Sequence, residues 1–316
     1  MRKFVSLVFA MMLGLTLLGT CVAAKFPEKS LRYVLPFTPG GAADTAAKLQ
    51  KKYLEKVLGQ TVEIAYNPGN GGGDAWTDAV KGTPDGYSVT GCNMPNIIIQ
   101  PFENPNIGYK TEDINLVYIF ASTPDALMVS KNSPYNSVAD LVKAAKSNPS
   151  SVTIGGGAIG SAPHLGSVQF EKAAGVKMPF VAASLGTKVA VSSLHAGKIS
   201  ALMTPPGTAL TEKDLKILAV ATTQRLSSLP KVPTFQELGY KFTEGTYRAV
   251  AVPPGTPPAV MKALEEAFAK VNKDPGFQAE MVKAGFEIEN YGIEASKKFL
   301  TERIKYYQGI RGELGL

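Results

Sequence analysis

The sequence predicts an α/β protein in two similar halves, each a mostly parallel sheet flanked by helices. Three observations carry that prediction. Short apolar runs alternate with amphipathic stretches of helical period, as strand–helix–strand units do. Glycine-rich loops stand where strands end and helices begin. With 316 residues the chain has the length of about two domains, and the order strand, glycine loop, helix opens each half.

Residues 31–36 read as the first strand and Pro39-Gly-Gly41 as its turn. A helix over 42–58 follows from Ala43, Ala46, Ala47, Leu49, Tyr53, Leu54 and Val57 at helical spacing, closed by Gly59. Residues 61–66 form a second strand, and the loop 67–73 feeds a short helix through Val80. Thr83-Pro-Asp-Gly86 is a turn before a third strand over 87–91. In the second half, Ser137-Val-Ala-Asp140 resembles a capping box and opens a helix through Ser147. A strand over 152–154, a glycine loop and a helix over 162–174 follow. Residues 188–196 are helical, and 199–203 and 216–221 are strands. A strand over 249–252 ends in Pro253-Pro-Gly-Thr-Pro257 and leads into a helix to Lys273. Asp274-Pro275 breaks that helix and starts another, and a long helix from Glu294 to about Glu313 ends the chain.

Apolar residues make up 45% and charged residues 19%, enough to bury a core and too apolar for a disordered chain. The net charge is +7, and no lysine or arginine run has the length of a nucleic-acid patch. Residues 1–24 have the layout of a secretory signal. Arg2 and Lys3 precede an uncharged apolar run from Phe4 to Gly19, and Val22 and Ala24 are the small residues before the cut. A membrane anchor would need roughly 20 apolar residues, more than this run has. Leu18-Gly-Thr-Cys21 offers a lipoprotein alternative, with Thr20 a poor fit before the cysteine. Cleavage after Ala24 leaves Cys92 alone, so no internal disulfide is expected. Cys92 reads as a buried strand end rather than a catalytic thiol, since no histidine is near it in sequence.

Chemistry concentrates in three glycine loops at strand ends: 36–41, 67–73 and 155–161. Helix N-termini present unpaired N–H groups and a partial positive charge, and glycine lets a ligand approach them. Ligands in open α/β sheets sit beyond the carboxyl ends of the strands, so three such loops in one cleft suit a carboxylate. Gly155-x-Gly157-x-x-Gly160 also fits the dinucleotide fingerprint, but no acid follows in 176–184 to hold a ribose. Asp44 lies in the first turn of the first helix, where an acid suits the dipole. His164 follows Ser161 by three residues at a helix start, and His195 lies at a helix end. No serine has a nucleophile elbow, and no His, Cys or carboxylate group has metal-ligand spacing.

Taken in order, these motifs resemble one family. The stretch 26–44, FPEKSLRYVLPFTPGGAAD, is similar to the opening of the tripartite tricarboxylate transporter substrate-binding proteins, the Bug family. Asn67-Pro-Gly-Asn-Gly-Gly-Gly73, Pro84-Asp-Gly-Tyr87, Gly160-Ser-Ala-Pro-His-Leu165 and Val252-Pro-Pro-Gly-Thr-Pro257 resemble its later motifs in order and spacing. The resemblance implies a two-lobe periplasmic-binding-protein fold of the Venus-flytrap, type II-like kind. Lobe 1 would be 25–122 plus 249–316, and lobe 2 would be 123–248. It implies a receptor, with no catalytic residue, metal or cofactor, that closes on a di- or tricarboxylate or related acid. A membrane permease with one large and one small subunit would take the ligand. A periplasmic monomer that binds no nucleic acid is expected.

By the same resemblance, the first lobe would hold the ligand through Pro39, Gly40, Gly41, Ala42, Asp44, Asn67, Gly69 and Gly71, with Cys92 and Asn93 at the next strand end. Asn70 stands where alanine is common and adds a side chain. Facing residues would be Gly157, Ser161, His164, Gly186, Thr187 and Thr204. The run Ser200–Gly207 lacks the acid usual in the family. Arg248, beside the return to the first lobe, is a candidate partner for the second carboxylate of a dianion; the alternative is a solvated arginine. Two other functions remain in view, a secreted α/β hydrolase and a binding protein that serves only as a sensor.

Overall fold

A computed structural model describes residues 26–183 and 187–314. The expected leader, 1–24, and Gly186 lie outside the described residues. The chain first builds β1 (Leu31–Leu35), α1 (Ala42–Leu58), β2 (Val62–Tyr66), α2 (Gly73–Lys81), β3 (Ser88–Met94), α3 (Asn96–Glu103) and β4 (Asn115–Pro124). It then crosses into β5 (Ala126–Ser130), α4 (Val138–Ser147), β6 (Ile154–Gly156), α5 (Ala162–Ala174), β7 (Phe180–Ala182) and α6 (Thr187–His195). There follow β8 (Ala201–Thr204), the short α7 (Thr208–Thr211) and β9 (Leu215–Val220). It returns through β10 (Gly245–Val252), α8 (Pro258–Asn272), α9 (Pro275–Lys283), β11 (Glu287–Tyr291) and α10 (Ile293–Ile310).

Two mixed sheets result. The first has the order β11-β4-β10-β3-β1-β2 and the second β7-β6-β8-β5-β9. Pairings β1 with β2 and β3, and β6 with β7 and β8, are parallel. Antiparallel pairing is more extensive than strand–helix alternation alone predicts. The cause is the chain path: β10 enters from the other sheet and runs against both β3 and β4. The two crossings are bound to each other. Asp125 N donates to Glu244 O at 3.0 Å, Glu244 N to Ala221 O at 3.0 Å, and Ala221 N to Asp125 O at 2.8 Å.

Local chemistry explains the helix bounds. Ser137 Oγ accepts from Asp140 N, and Asp140 reaches back to Ser137 N, a complete capping box on α4. Asp274 caps α9 with bonds from Gly276 N and Phe277 N. Gly59 ends α1 at φ 66°, in the left-handed region. Each face of the first sheet has its own core. Leu35, Val62, Leu264, Phe268 and Phe277 fill one, and Trp76, Ile97, Ile98, Ile119 and Tyr307 the other. Each such buried side chain contributes about 1.5–3 kcal/mol. Among the described residues, no helix is long and apolar enough to cross a membrane.

Candidate functional site

The parallel strands β1, β2 and β3 all end on one side of the first sheet. Their loops therefore meet there. Residues Pro39, Gly40, Gly41 and Ala42 are exposed. Gly40 takes φ +91° and turns its N–H inward, onto Asp44 Oδ2 at 2.8 Å. The Asp44 carboxylate is 3% exposed and also accepts from Lys48 Nζ at 2.8 Å and Tyr66 Oη at 2.7 Å. Burial works against its charge, but the bonds from Lys48, Gly40 and Tyr66 prevail and hold its pKa below the usual carboxylate value. Asp44 thus shapes the first loop and ties it to the end of β2.

The second loop is built on left-handed backbone. Asn70 takes φ 44° and Gly71 φ 62°, while Gly69 and Gly72 also have positive φ. Asn67 N donates to Leu35 O at 2.9 Å, which locks this loop to the first, and Asn67 Nδ2 donates to Asp78. Asn70 Nδ2 is spent on Asp74 Oδ1 at 2.7 Å. A Cβ on Gly71 would fall 2.6 Å from Gln100 Nε2 of α3.

Gly157 and Ser161 belong to the third loop, at the end of β6 and the start of α5. Ser161 Oγ donates to Ala158 O at 2.6 Å, and His164 Nδ1 accepts from Gly160 N at 3.1 Å. This loop approaches the first half: a Cβ on Gly160 would lie 2.8 Å from Ile99 Cγ2 and 2.9 Å from Glu103 Oε1. Helix α3 is therefore wedged between the second and third loops. Sequence reading missed α3, because Ile97-Ile98-Ile99 alone does not separate helix from strand and Pro101 interrupts the pattern. Burial raises the pKa of Glu103, despite a bond from Gln100.

The helix starts facing this region share one property. Gly41 before α1, Gly72 before α2 and Ser161 before α5 give no side-chain cap. No side chain of the N-cap residue takes up their first-turn N–H groups, in contrast to α4 and α9, although Gly73 N of α2 donates to Asn70 O and Pro163 of α5 has no N–H. Thr187, the first residue of α6, is exposed, whereas Thr204 is 2% exposed and its Oγ1 lies 3.3 Å from Thr208 Oγ1. Asn93 is half-buried beside Arg248 in the β3–β10 pairing.

The structure changes the reading of two expected site residues, Cys92 and His164, and excludes one of the two alternatives for Arg248. Cys92 points into the core with Trp76 and Met94, its thiol on Thr90 O at 3.7 Å, because its side of β3 is the packed one. Burial pushes that thiol's pKa up. His164 is 5% exposed and turned toward Phe180, ring centroids 4.8 Å apart, rather than into the loop cleft. Arg248 is not solvated: it is 5% exposed and lies over the Phe286 ring at 5.1 Å. Its Nη2 donates to Thr123 Oγ1 at 3.1 Å, while Nε and Nη1 are buried without partners among the described residues. Burial pushes its pKa down to about 10, so it stays charged at neutral pH.

Comparison with known proteins agrees with this layout. The profile described as tripartite tricarboxylate transporter family receptor matches residues 46–316. Protein BugT of Bordetella pertussis is 26% identical over 93% of this chain and 91% of its own length. A TctC solute binding protein from Polaromonas, solved with no ligand, superposes with TM-score 0.81 at 26% identity, covering 91% of this chain and 99% of its own. An R. palustris protein solved with adipate has TM-score 0.76 at 25% identity, covering 92% and 98%.

Proposed function

This chain belongs to the tripartite tricarboxylate transporter receptor family, and from that premise we propose that it captures a small carboxylate in the cleft lined by its three glycine loops. The family is one of solute receptors, and the R. palustris relative was solved with adipate. The observation that carries the reading is the set of uncapped helix starts at Gly41, Gly72 and Ser161. Backbone N–H groups and helix dipoles favour a carboxylate there without a dedicated cation.

The binding residues in this reading are Gly40, Gly41, Ala42, Asn67, Gly69, Asn70 and Gly71 on one side, with Gly157, Ser161 and Thr187 facing them. Asp44 orders the first loop rather than touching ligand. Arg248, buried with no carboxylate partner among the described residues, would take the second carboxylate of a dianion after a side-chain shift. Closure brings the lobes together about the crossings at Asp125 and Glu244. The receptor works as a periplasmic monomer, exported by its leader, and hands the ligand to a two-subunit membrane permease.

A thermal-shift screen of residues 25–316 against mono-, di- and tricarboxylates tests this. A ligand at 100 times its Kd should add about 2.7 kcal/mol of stability. A hit confined to one class of acid supports the receptor and names its substrate class. Shifts from neutral or cationic solutes alone would refute carboxylate capture.

A further inference from the structure

A cavity of about 930 Å³ opens behind the third glycine loop, within the size range of small-molecule sites. Its walls come from the end of α4, from α5 and from the segment leading into β7. Much of the surface is apolar, with Ile159, Val168, Val176 and Phe180. The rim is cationic. Lys172 pairs with Glu313 at 2.8 Å and Lys177 approaches Glu171 at 3.8 Å. Lys146 has no carboxylate partner among the described residues, which leaves one positive charge in excess.

His164 gives this cavity a polar handle. Its Nδ1 accepts the Gly160 N–H, so a neutral ring carries its proton on Nε2. Desolvation lowers the ring's pKa and keeps it neutral at pH 7. His164 is 5% exposed as a residue, and what it exposes forms part of the cavity wall. Its Nε2–H has no partner among the described residues. Nε2 is not sealed from solvent, so a ligand oxygen entering the cavity can replace the water that otherwise reaches this donor.

We propose that this cavity is a second ligand site, separate from the loop cleft, that takes an amphiphilic monocarboxylate. The carbon chain or ring packs on Ile159, Val168 and Phe180. The carboxylate accepts from His164 Nε2 within the field of the lysine rim. The loop cleft offers backbone donors to compact acids; this cavity offers apolar surface with one side-chain donor. The two sites share the third loop. An acceptor on Nε2 makes Nδ1 more basic and strengthens its bond to Gly160, so occupancy stiffens the loop that faces the cleft.

Octanoate is the probe. The chain has two histidines, so in a His195→Gln background every imidazole signal belongs to His164. The expected result is a saturable shift of His164 Nε2 in nitrogen-15 spectra on titration with octanoate. Lys146→Glu, at an exposed rim position, should weaken the affinity about five-fold, and Val168→Phe, which fills the cavity, should abolish the shift. No saturable His164 shift up to about 10 mM octanoate overturns the proposal, as does a shift of equal affinity in both variants. Shifts confined to the amides of Gly40, Gly71 and Gly157 would place octanoate in the loop cleft and overturn it too, leaving the receptor reading intact.

Discussion

The Asp44 carboxylate accepts three hydrogen bonds, from Gly40 N, Lys48 Nζ and Tyr66 Oη. Its lowered pKa means the folded state favours the charged form. That contribution is present above the unfolded value near 3.9 and is lost as pH falls through the folded value. Asp44→Asn should therefore cost about 1–3 kcal/mol in urea unfolding at pH 7, and parent and variant should converge at the acid end. Arg248 is the opposite case. A buried guanidinium with two idle nitrogens is a stability liability, so Arg248→Met should raise the Tm of the ligand-free protein, by about 1–3 kcal/mol of stability. If Arg248 takes a second carboxylate, the same variant should bind dianions at least ten-fold more weakly and leave monoanions unaffected, as calorimetry would read. Sequence located this arginine beside a crossing. Its burial came from Phe286 and β4, elements distant in the chain.

Glycine positions in the loops differ in how much the backbone conformation itself demands glycine. Gly71 needs its left-handed backbone at φ 62°, and its missing side chain makes room for Gln100. Gly41 is extended, at φ −85°, with open space around it. Gly71→Ala should thus cost about 1–2 kcal/mol of stability. Gly41→Ala should change stability by less than about 1 kcal/mol yet weaken ligand binding, because a methyl group then stands over the uncapped N–H groups. Paired denaturation and binding curves separate the two. Helices with local signals were legible in sequence: α4 through its capping box, α1 through its period and Gly59. Helix α3 was not, nor were β4 and β5, because fully buried runs carry no polar alternation. Since α3 wedges the second loop against the third, part of the candidate site was hidden with it.

The whole molecule is joined where Asp125 and Glu244 cross between the sheets. Glu244 accepts from Gln169 of α5 and, at 3.0 Å, from Tyr307 of α10, with Arg303 Nη1 at 3.8 Å, so one carboxylate links both halves. Asp125 is 1% exposed and its Oδ2 has no partner among the described residues. Burial and the nearby Glu244 raise its pKa well above the usual value. A raised carboxyl pKa favours the protonated folded state, so stability is full below the unfolded value near 3.9 and falls as pH rises through the folded one. Asp125→Asn should match the parent at pH 4 and exceed it at pH 8, by about 1–3 kcal/mol in thermal unfolding. A parent that is as stable as the variant at pH 8 would mean the carboxylate finds a partner in solution.

The sequence by itself determined the α/β class, the two-half organisation, the glycine loops and the family. Those rest on short-range patterns: hydrophobic period, caps, turns and motif order. Tertiary structure decided which loops meet across α3, that Cys92 and His164 turn away from the cleft, and that Arg248 and Asp125 lie buried without counter-charges. Side-chain direction and burial depend on neighbours far along the chain, and β10 returning from the other sheet supplies many of those neighbours.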